Sequence, residues 1–521
     1  MRVRRWIPWV LGAATLLNAA PLLANGRFPE AQKLIEDPND PNRLLLSGTF
    51  GLLVSRDRGQ NWYYLCEQAF ALELVEGDPL FELLPDGALL SGIVASLNRS
   101  ADCGCTWTAS LAQPEPEYLR DLTIEKSGAH AVIALTRDIG KDPEVFSVSQ
   151  STDAGKSWSK LSDLGADVEE AFTVDSAPSD ASRVYVSALM KGGTGALLVS
   201  SNHGMSWETR AFAGADINNQ AYIAAVHPTN PDAVFVRTNG WDQDNVANDA
   251  LFYTKDAGRT WNELIRKPGK LFGFALSPDA SKVLIGYGDP YQAASFTDPA
   301  ELGLWVANTA QPAFTKIFSG GISCLTWTNR GVYACNAEGL PDFDQLKFTL
   351  GFAPNADFTE STPNPFTSLL ALKDIRGPLG CAAAVCGDDW TMENELGPAA
   401  CQRFGADCNA PPSSMDPPCG SGAPTGGTGG SGGAAGAGGA TGGTGGTAGA
   451  GGAGTGGSVA GSGGNAQGSG PGGSNGSNPA NGDDGGGCGC RASTAPTAFS
   501  ALLLALGAVP FWRRLRRRNQ R

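Results

Sequence analysis

The sequence predicts an all-β fold assembled from repeated four-stranded units. Three observations carry this. An eight-residue phrase recurs five times along the chain. The tryptophans that close it are spaced by 45, 51, 49 and 54 residues. Each interval has the length and pattern for four short strands divided by turns. Four strands at such a period read as the blades of a β-propeller.

The phrase first appears as Ser55-Arg-Asp57-Arg-Gly59-Gln-Asn61-Trp62. It returns as Ser100-Ala-Asp102-Cys-Gly104-Cys-Thr106-Trp107 and as Ser151-Thr-Asp153-Ala-Gly155-Lys-Ser157-Trp158. A fourth copy, Ser200-Ser-Asn202-His-Gly204-Met-Ser206-Trp207, has Asn for Asp. A fifth, Thr254-Lys-Asp256-Ala-Gly258-Arg-Thr260-Trp261, has Thr for Ser. Continuing the step lands on Phe314 and then Phe358, which keep the aromatic but not the Ser, Asp and Gly. The physics is that of a hairpin turn. The carboxylate accepts backbone N–H groups of its own turn. The Gly takes a positive φ. The Trp leaves on the next strand and buries a large ring.

Strands follow in order around each phrase. In the first repeat they fall near Gln32–Glu36, Arg43–Gly48, Gly51–Ser55 and Trp62–Cys66. In the fifth they fall near Tyr222–His227, Ala233–Val236, Leu251–Thr254 and Trp261–Leu264. Seven aromatic phrase ends, Trp62 to Phe358, predict seven blades. Residues Ser368–Ile375 read as a closing strand or the start of another module, which leaves six or eight blades open.

The phrase resembles the Asp-box, or BNR repeat, of sialidases, sortilin-type receptors and related propellers. That resemblance implies boxes on the outer rim, away from the central site. Asp57, Trp62, Asp102, Trp107, Asp153, Trp158, Asn202, Trp207, Asp256 and Trp261 are therefore read as structural.

Both ends of the chain carry sorting signals. Arg2, Arg4 and Arg5 precede an apolar run, and Leu22 and Ala24 offer a small cleavage site, so residues 1–24 read as a signal peptide. At the other end, Thr494–Trp512 is apolar and followed by Arg513, Arg514, Arg516, Arg517 and Arg518. Cys488 and Cys490 stand just before that span. This end resembles the myxobacterial C-terminal sorting tail. The resemblance implies lipidation at Cys488 or Cys490, cleavage of the transmembrane helix, and a place on the outer surface of the cell. A permanent one-helix anchor is the alternative.

Composition divides what lies between. Residues 420–489 hold 34 of the 70 glycines. With no strict three-residue period they read as a flexible tether, with a reach on the order of 45 Å. The organisation is thus a signal peptide (1–24), a propeller (25–376), a small Cys-rich module (377–419), a Gly-rich disordered linker (420–487) and a sorting tail (488–521). Net charge is −14 for the whole chain. The body alone has 28 Lys+Arg against 50 Asp+Glu, or −22. That excludes nucleic acid and leaves the anchor as the only membrane contact. The body is read as monomeric.

Twelve Cys suit an oxidising compartment. Cys324 and Cys335 flank a hairpin and are expected to pair. Cys66 and Cys105 are expected to staple blades one and two. The partner of Cys103 and the pairing of Cys381, Cys386, Cys401, Cys408 and Cys419 stay open.

With strands named a to d outward, the box is the c–d turn. Ligands are then expected on the opposite face, at the b–c loops. Blade three offers Arg137–Glu144. Blade five offers Asn239–Asp249 with Trp241, Asp242 and Asp244. Blade six offers Tyr287, Asp289 and Tyr291. Aromatics beside carboxylates suit a sugar or a cationic peptide. The Asp242–Asp249 cluster offers oxygen ligands for Ca²⁺, without EF-hand spacing; no other cofactor is indicated.

Catalytic material is thin. His130, His203 and His227 are the only histidines. A sialidase needs an arginine triad; Arg27-Phe28-Pro29 matches one arginine phrase, and no second or third is found. A two-carboxylate glycosidase could draw on Asp78, Asp121, Asp242 or Asp289. The expected function is a surface-anchored, non-catalytic propeller that binds a glycan or protein partner. A surface glycoside hydrolase and an extracytoplasmic assembly or folding factor are the alternatives.

Overall fold

The computed structural model describes residues 31–412, except 71–78, 94–95, 112–116, 127–129, 213–219, 241–245, 289–297, 337–347, 356–364 and 393–397. The signal peptide, the tether and the sorting tail lie outside the described residues. Among those described, no helix is long and apolar enough to cross a membrane.

The strands form seven four-stranded antiparallel sheets, each an unbroken a-b-c-d meander. Blade 1 consists of Ala31–Glu36, Leu44–Gly48, Gly51–Ser55 and Tyr63–Leu65. Blade 5 consists of Ala221–Val226, Val234–Thr238, Ala250–Thr254 and Asn262–Arg266. Blade 7 ends on Thr367–Leu370, so the segment after Phe366 is the closing strand and the blade number is seven. Middle strands are buried on both faces, as in Leu44–Gly48 and Val234–Thr238. Outer strands such as Glu208–Ala211 and Asn262–Arg266 are mostly exposed or half-buried. Burial that rises inward is what stacking twisted sheets around an axis requires.

The ring closes without sharing a strand. Strand a of blade 7 (Cys324–Trp327) packs on strand a of blade 1. The Ser323 and Thr326 hydroxyls donate to the carbonyls of Ala31 and Leu34, both at 3.0 Å. The chain then crosses to the outer edge of blade 1. Tyr64 N–H donates to Gly377 O at 2.9 Å, and Leu379 N–H donates to Tyr64 O at 2.7 Å. Residues after blade 7 thereby add a short parallel strand to the edge of blade 1, which covers N–H and C=O groups that an open edge would expose. Two helices follow, α1 (Ala383–Thr391) and α2 (Ala400–Phe404). Their Trp390 and Phe404 rings pack on Tyr64, with centroids 5.9 and 5.4 Å away. The Tyr64 hydroxyl donates to Asp389 Oδ2 at 2.7 Å.

This docking corrects one disulfide. Cys66 and Cys105 are not joined to each other. Cys66 pairs with Cys386, and Cys105 with Cys381. The C-terminal module lies over blades 1 and 2 and reaches both cysteines from outside. Cys324 pairs with Cys335 between directly opposed strand positions. Cys401 pairs with Cys408 within the module, and Cys103 is also disulfide-bonded.

The five boxes share one hydrogen-bond circuit. In each, the Ser or Thr hydroxyl donates to the side-chain oxygen two residues on, at 2.8–2.9 Å. It also accepts the Gly N–H at 2.8–2.9 Å. The same Asp or Asn oxygen accepts the N–H four residues on, at 2.8–3.0 Å. Asn202 keeps the pattern by reversing one bond. Its Nδ2 donates to the Ser206 hydroxyl at 2.9 Å, whereas Thr106, Ser157 and Thr260 donate to Asp Oδ2. The residue before the Gly is left-handed too: Arg58, Cys103, Ala154, His203 and Ala257 have φ of 56–64°. At Gly59 (φ 86°) a Cβ would sit 2.7 Å from Leu369 of blade 7. Each box is pressed against the preceding blade, so the boxes interlock the ring.

Candidate functional site

The end of the sheets that carries the b–c and d–a connections concentrates charge on blades 3 to 6. The loop after strand b of blade 5 is anchored at both ends. Asp249 is 1% exposed. Its Oδ1 accepts the Gly240 N–H at 2.8 Å and lies 3.4 Å from the Lys270 ammonium. Its Oδ2 accepts the Leu271 N–H at 2.9 Å. Lys270 opens strand a of blade 6 (Lys270–Leu276) and also donates to Asn239 Oδ1 and Gly240 O. Asn239 is tied back to Gln220 through its N–H and its side-chain amide. A buried ion pair whose remaining oxygens are filled by N–H groups fixes geometry more than it adds stability. Here it fixes the two stems of the loop that carries Trp241, Asp242 and Asp244. Those three residues lie outside the described residues, as do Asp289 and Tyr291.

Tyr287 belongs to the anchor and not to a ligand surface. Strand b of blade 6 runs Lys282–Gly288, so Tyr287 is its penultimate residue. The side chain is fully buried against Trp305, and its hydroxyl donates to Asp249 O at 2.9 Å. Burial, then the nearby Asp249 carboxylate, push its phenol well above the usual tyrosine range. The loop of blade 6 thus begins after Gly288.

A second group joins blades 3 and 4. Arg120 lies in strand a of blade 3 (Glu117–Ile124) and Arg137 near the end of strand b (Val132–Asp138). Glu170 lies near the start of strand a of blade 4 (Val168–Ala177). Arg120 is 2.8 Å from Glu170 Oε1, and Arg137 is 3.4 Å from Oε2. Arg137 also binds Glu144 at 2.5 Å and lies over the Phe146 ring. Burial raises the Glu170 carboxyl above its ordinary range; Arg120 and Arg137 oppose this, and Glu144 adds to it. Between the two groups, the Arg237 guanidinium lies 4.6 Å over the Tyr222 ring.

Charge at this end is therefore assembled in pairs. Arg120, Arg137 and Glu170 come from segments about 17 to 50 residues apart in the chain. No local motif marks them, which is why sequence reading passes over them. Asp121, nominated as a glycosidase carboxylate, is fully buried, and its Oδ2 accepts the Val174 N–H at 2.9 Å. It joins blades 3 and 4. Asp78, Asp242 and Asp289 lie outside the described residues, as does Arg27. His130 meets Glu125 O at 3.1 Å, and His203 sits in a box turn at φ 58°. Among the described residues there is no group of three or more His, Cys, Asp or Glu that could hold a metal. Asp249, the one described carboxylate of the proposed Ca²⁺ cluster, is already engaged by N–H groups and an ammonium.

Residues 146–328 match the family model described as "Sortilin, neurotensin receptor 3". No curated protein matches the sequence. Among solved structures, an ancestral GH74 enzyme aligns at 15% identity with a TM-score of 0.48, over 67% of this chain and 47% of that one. The chain thus spans about half the length of that enzyme. YCF48 from Cyanidioschyzon merolae aligns at 13% identity with a TM-score of 0.40, over 59% of this chain and 92% of that one. The Cps50 (Swd1) β-propeller domain of Myceliophteria thermophila aligns at 9% identity with a TM-score of 0.38, over 59% and 93%. Seven blades and five box turns define an Asp-box β-propeller, and its residues 146–328 are similar to the sortilin model. That class and the disulfides are consistent with an exported protein.

Proposed function

We propose that this is an exported, surface-anchored propeller that binds a glycan or protein partner through its b–c loop face without catalysis. The observation that carries the reading is the anchor beneath the blade-5 loop. Asp249, Lys270, Asn239 and Tyr287 hold both stems through buried bonds. Rigid stems on a loop whose sequence holds an aromatic and two carboxylates lower the ordering cost of binding. The sorting signals read from the sequence support a position outside the cell, with the Gly-rich segment as tether.

One observation favours a second reading. The raised Glu170 carboxyl stands beside Glu144 in a shared arginine cluster. A two-carboxylate hydrolase needs an acid whose carboxyl is raised by burial, with a second carboxylate near it. Glycan-array binding and glycoside hydrolysis, run on the same purified protein, test the two. Binding lost in Trp241→Ala without any turnover supports the first reading. Turnover abolished by Glu170→Gln overturns it.

A further inference from the structure

The Asp-box face holds a cleft that the loop-face reading does not use. It lies between blades 5 and 6 and encloses about 520 Å³. Its origin is a missing box. In blades 1 to 5 the box turn packs on the preceding blade; Gly204 approaches Leu161, and Gly258 approaches Leu197. In blade 6, strand c (Gly303–Asn308) and strand d (Gln311–Ser319) are joined by Thr309 and Ala310 alone. Two residues stand where blade 5 has the seven from Lys255 to Trp261. Nothing among the described residues fills the space that a sixth box would take.

The walls are suited to a ligand. Tyr253, stacked on Phe235 at 4.3 Å, gives an aromatic wall. Asn308 and Gln311 supply neutral donors and acceptors, and Lys255 supplies a cation, while the Ser281 hydroxyl is already donated to Asp279. The decisive residue is Thr309. It is 6% exposed, lines the cleft, and its hydroxyl has no hydrogen-bond partner among the described residues. A buried hydroxyl without a partner is destabilising unless something satisfies it. His227, also in the lining, accepts the Thr229 N–H at Nδ1. That leaves a neutral ring with its proton on Nε2, another donor.

We propose that this cleft is a second binding site and that it takes one acidic sugar ring, with hydroxyls on Thr309, Asn308 and Gln311 and the carboxylate on Lys255. Sugar hydroxyls both donate and accept, as these amides and hydroxyls do. The lining itself contains no Asp or Glu, the adjacent Asp279 carboxylate being taken up by the Ser281 N–H and hydroxyl and by Ser277, and it has only one lysine, which is too little for a phosphate. The volume lies within the roughly 300–1,000 Å³ of small-molecule sites. The site is independent of the loop face.

Saturation-transfer NMR and calorimetry on the full-length protein test this, with glucuronate, glucose and inorganic phosphate as probes. Glucuronate is expected to bind saturably and more tightly than the other two. Lys255→Gln, at an exposed position that leaves the fold intact, should weaken glucuronate at least tenfold and glucose less than twofold. Thr309→Val should weaken both sugars three- to tenfold. Trp241→Ala, on the opposite face, should change neither. The proposal is overturned by absence of saturable binding, by phosphate binding more tightly than glucuronate, or by binding that survives both cleft variants.

Discussion

Replacing Cys66 and Cys386 by Ser removes the longer of the two bonds that, among the described residues, hold the C-terminal module on the ring. The bridge closes 320 residues of sequence. Chain entropy over a loop of that length gives about 5–6 kcal/mol at 25 °C, and losses of native disulfides run about 2–5 kcal/mol. The Cys105–Cys381 bridge remains and spans 276 residues, so most of the long-loop constraint survives and the lower part of that range applies. Unfolding entropy near 2.1 cal/mol/K per residue over roughly 380 residues is about 0.8 kcal/mol/K, so a loss of about 2 kcal/mol lowers Tm by about 2–3 °C. Removing Cys381 as well should roughly double the drop and free the edge strand at Arg376–Leu379 from Tyr64. The assay is a thermal melt of the single-bridge and double-bridge variants, with limited proteolysis after Leu370. Melts within 1 °C of the parent in the double-bridge variant, with the module still protected, would refute the idea that these bonds clamp the ring.

Other expectations concern the boxes and the loop anchor. Asp256→Ala removes the acceptor for the Thr254 and Thr260 hydroxyls and the Thr260 N–H, and should lower stability by about 1–3 kcal/mol in urea titration. Asp256→Asn should cost less than half as much, because Asn202 already works in the fourth box by donating to a hydroxyl. Acid melts carry a sign. Burial opposes ionisation of Asp256, but bonds from Thr260, Thr254 and Arg259 outweigh it and hold the carboxyl down at about 2. Its contribution is present at neutral pH and fades as pH falls from about 4 through 2; the Asn variant should lose that part of the acid sensitivity. Asp249→Asn leaves the buried Lys270 ammonium without its carboxylate and should cost about 3–5 kcal/mol, read by thermal melt, and should weaken any loop-face ligand.

What could be read from the chain was local. The box turn is written within eight residues, and the strands of blades 1 and 5 follow from it to within one or two positions. Two parts of the turn escaped that reading. The hydroxyl two residues before the Asp is the hub of the circuit, a role visible in hindsight from its restriction to Ser or Thr. The left-handed residue before each Gly leaves no mark, because Arg, Cys, Ala and His all occupy it. Distant relations were not legible. Cys66 lies 39 residues from Cys105 but pairs 320 residues away, since the chain returns to blade 1 only after seven blades. Tyr287 looked like loop because a Gly-Asp-Pro turn follows it, yet strand b runs through Gly288 and turns the ring inward. The Arg120–Glu170–Arg137 cluster spans neighbouring blades, and no window of sequence holds it.

The central claim is binding without turnover at the b–c loop face. Its most direct test is one preparation of the full-length protein, assayed against a glycan array and a panel of extracellular proteins, and in parallel for release of reducing sugar. Saturable binding that Trp241→Ala and Asp242→Ala abolish is expected, with no sugar released. Steady release of sugar that stops on Glu170→Gln would contradict it.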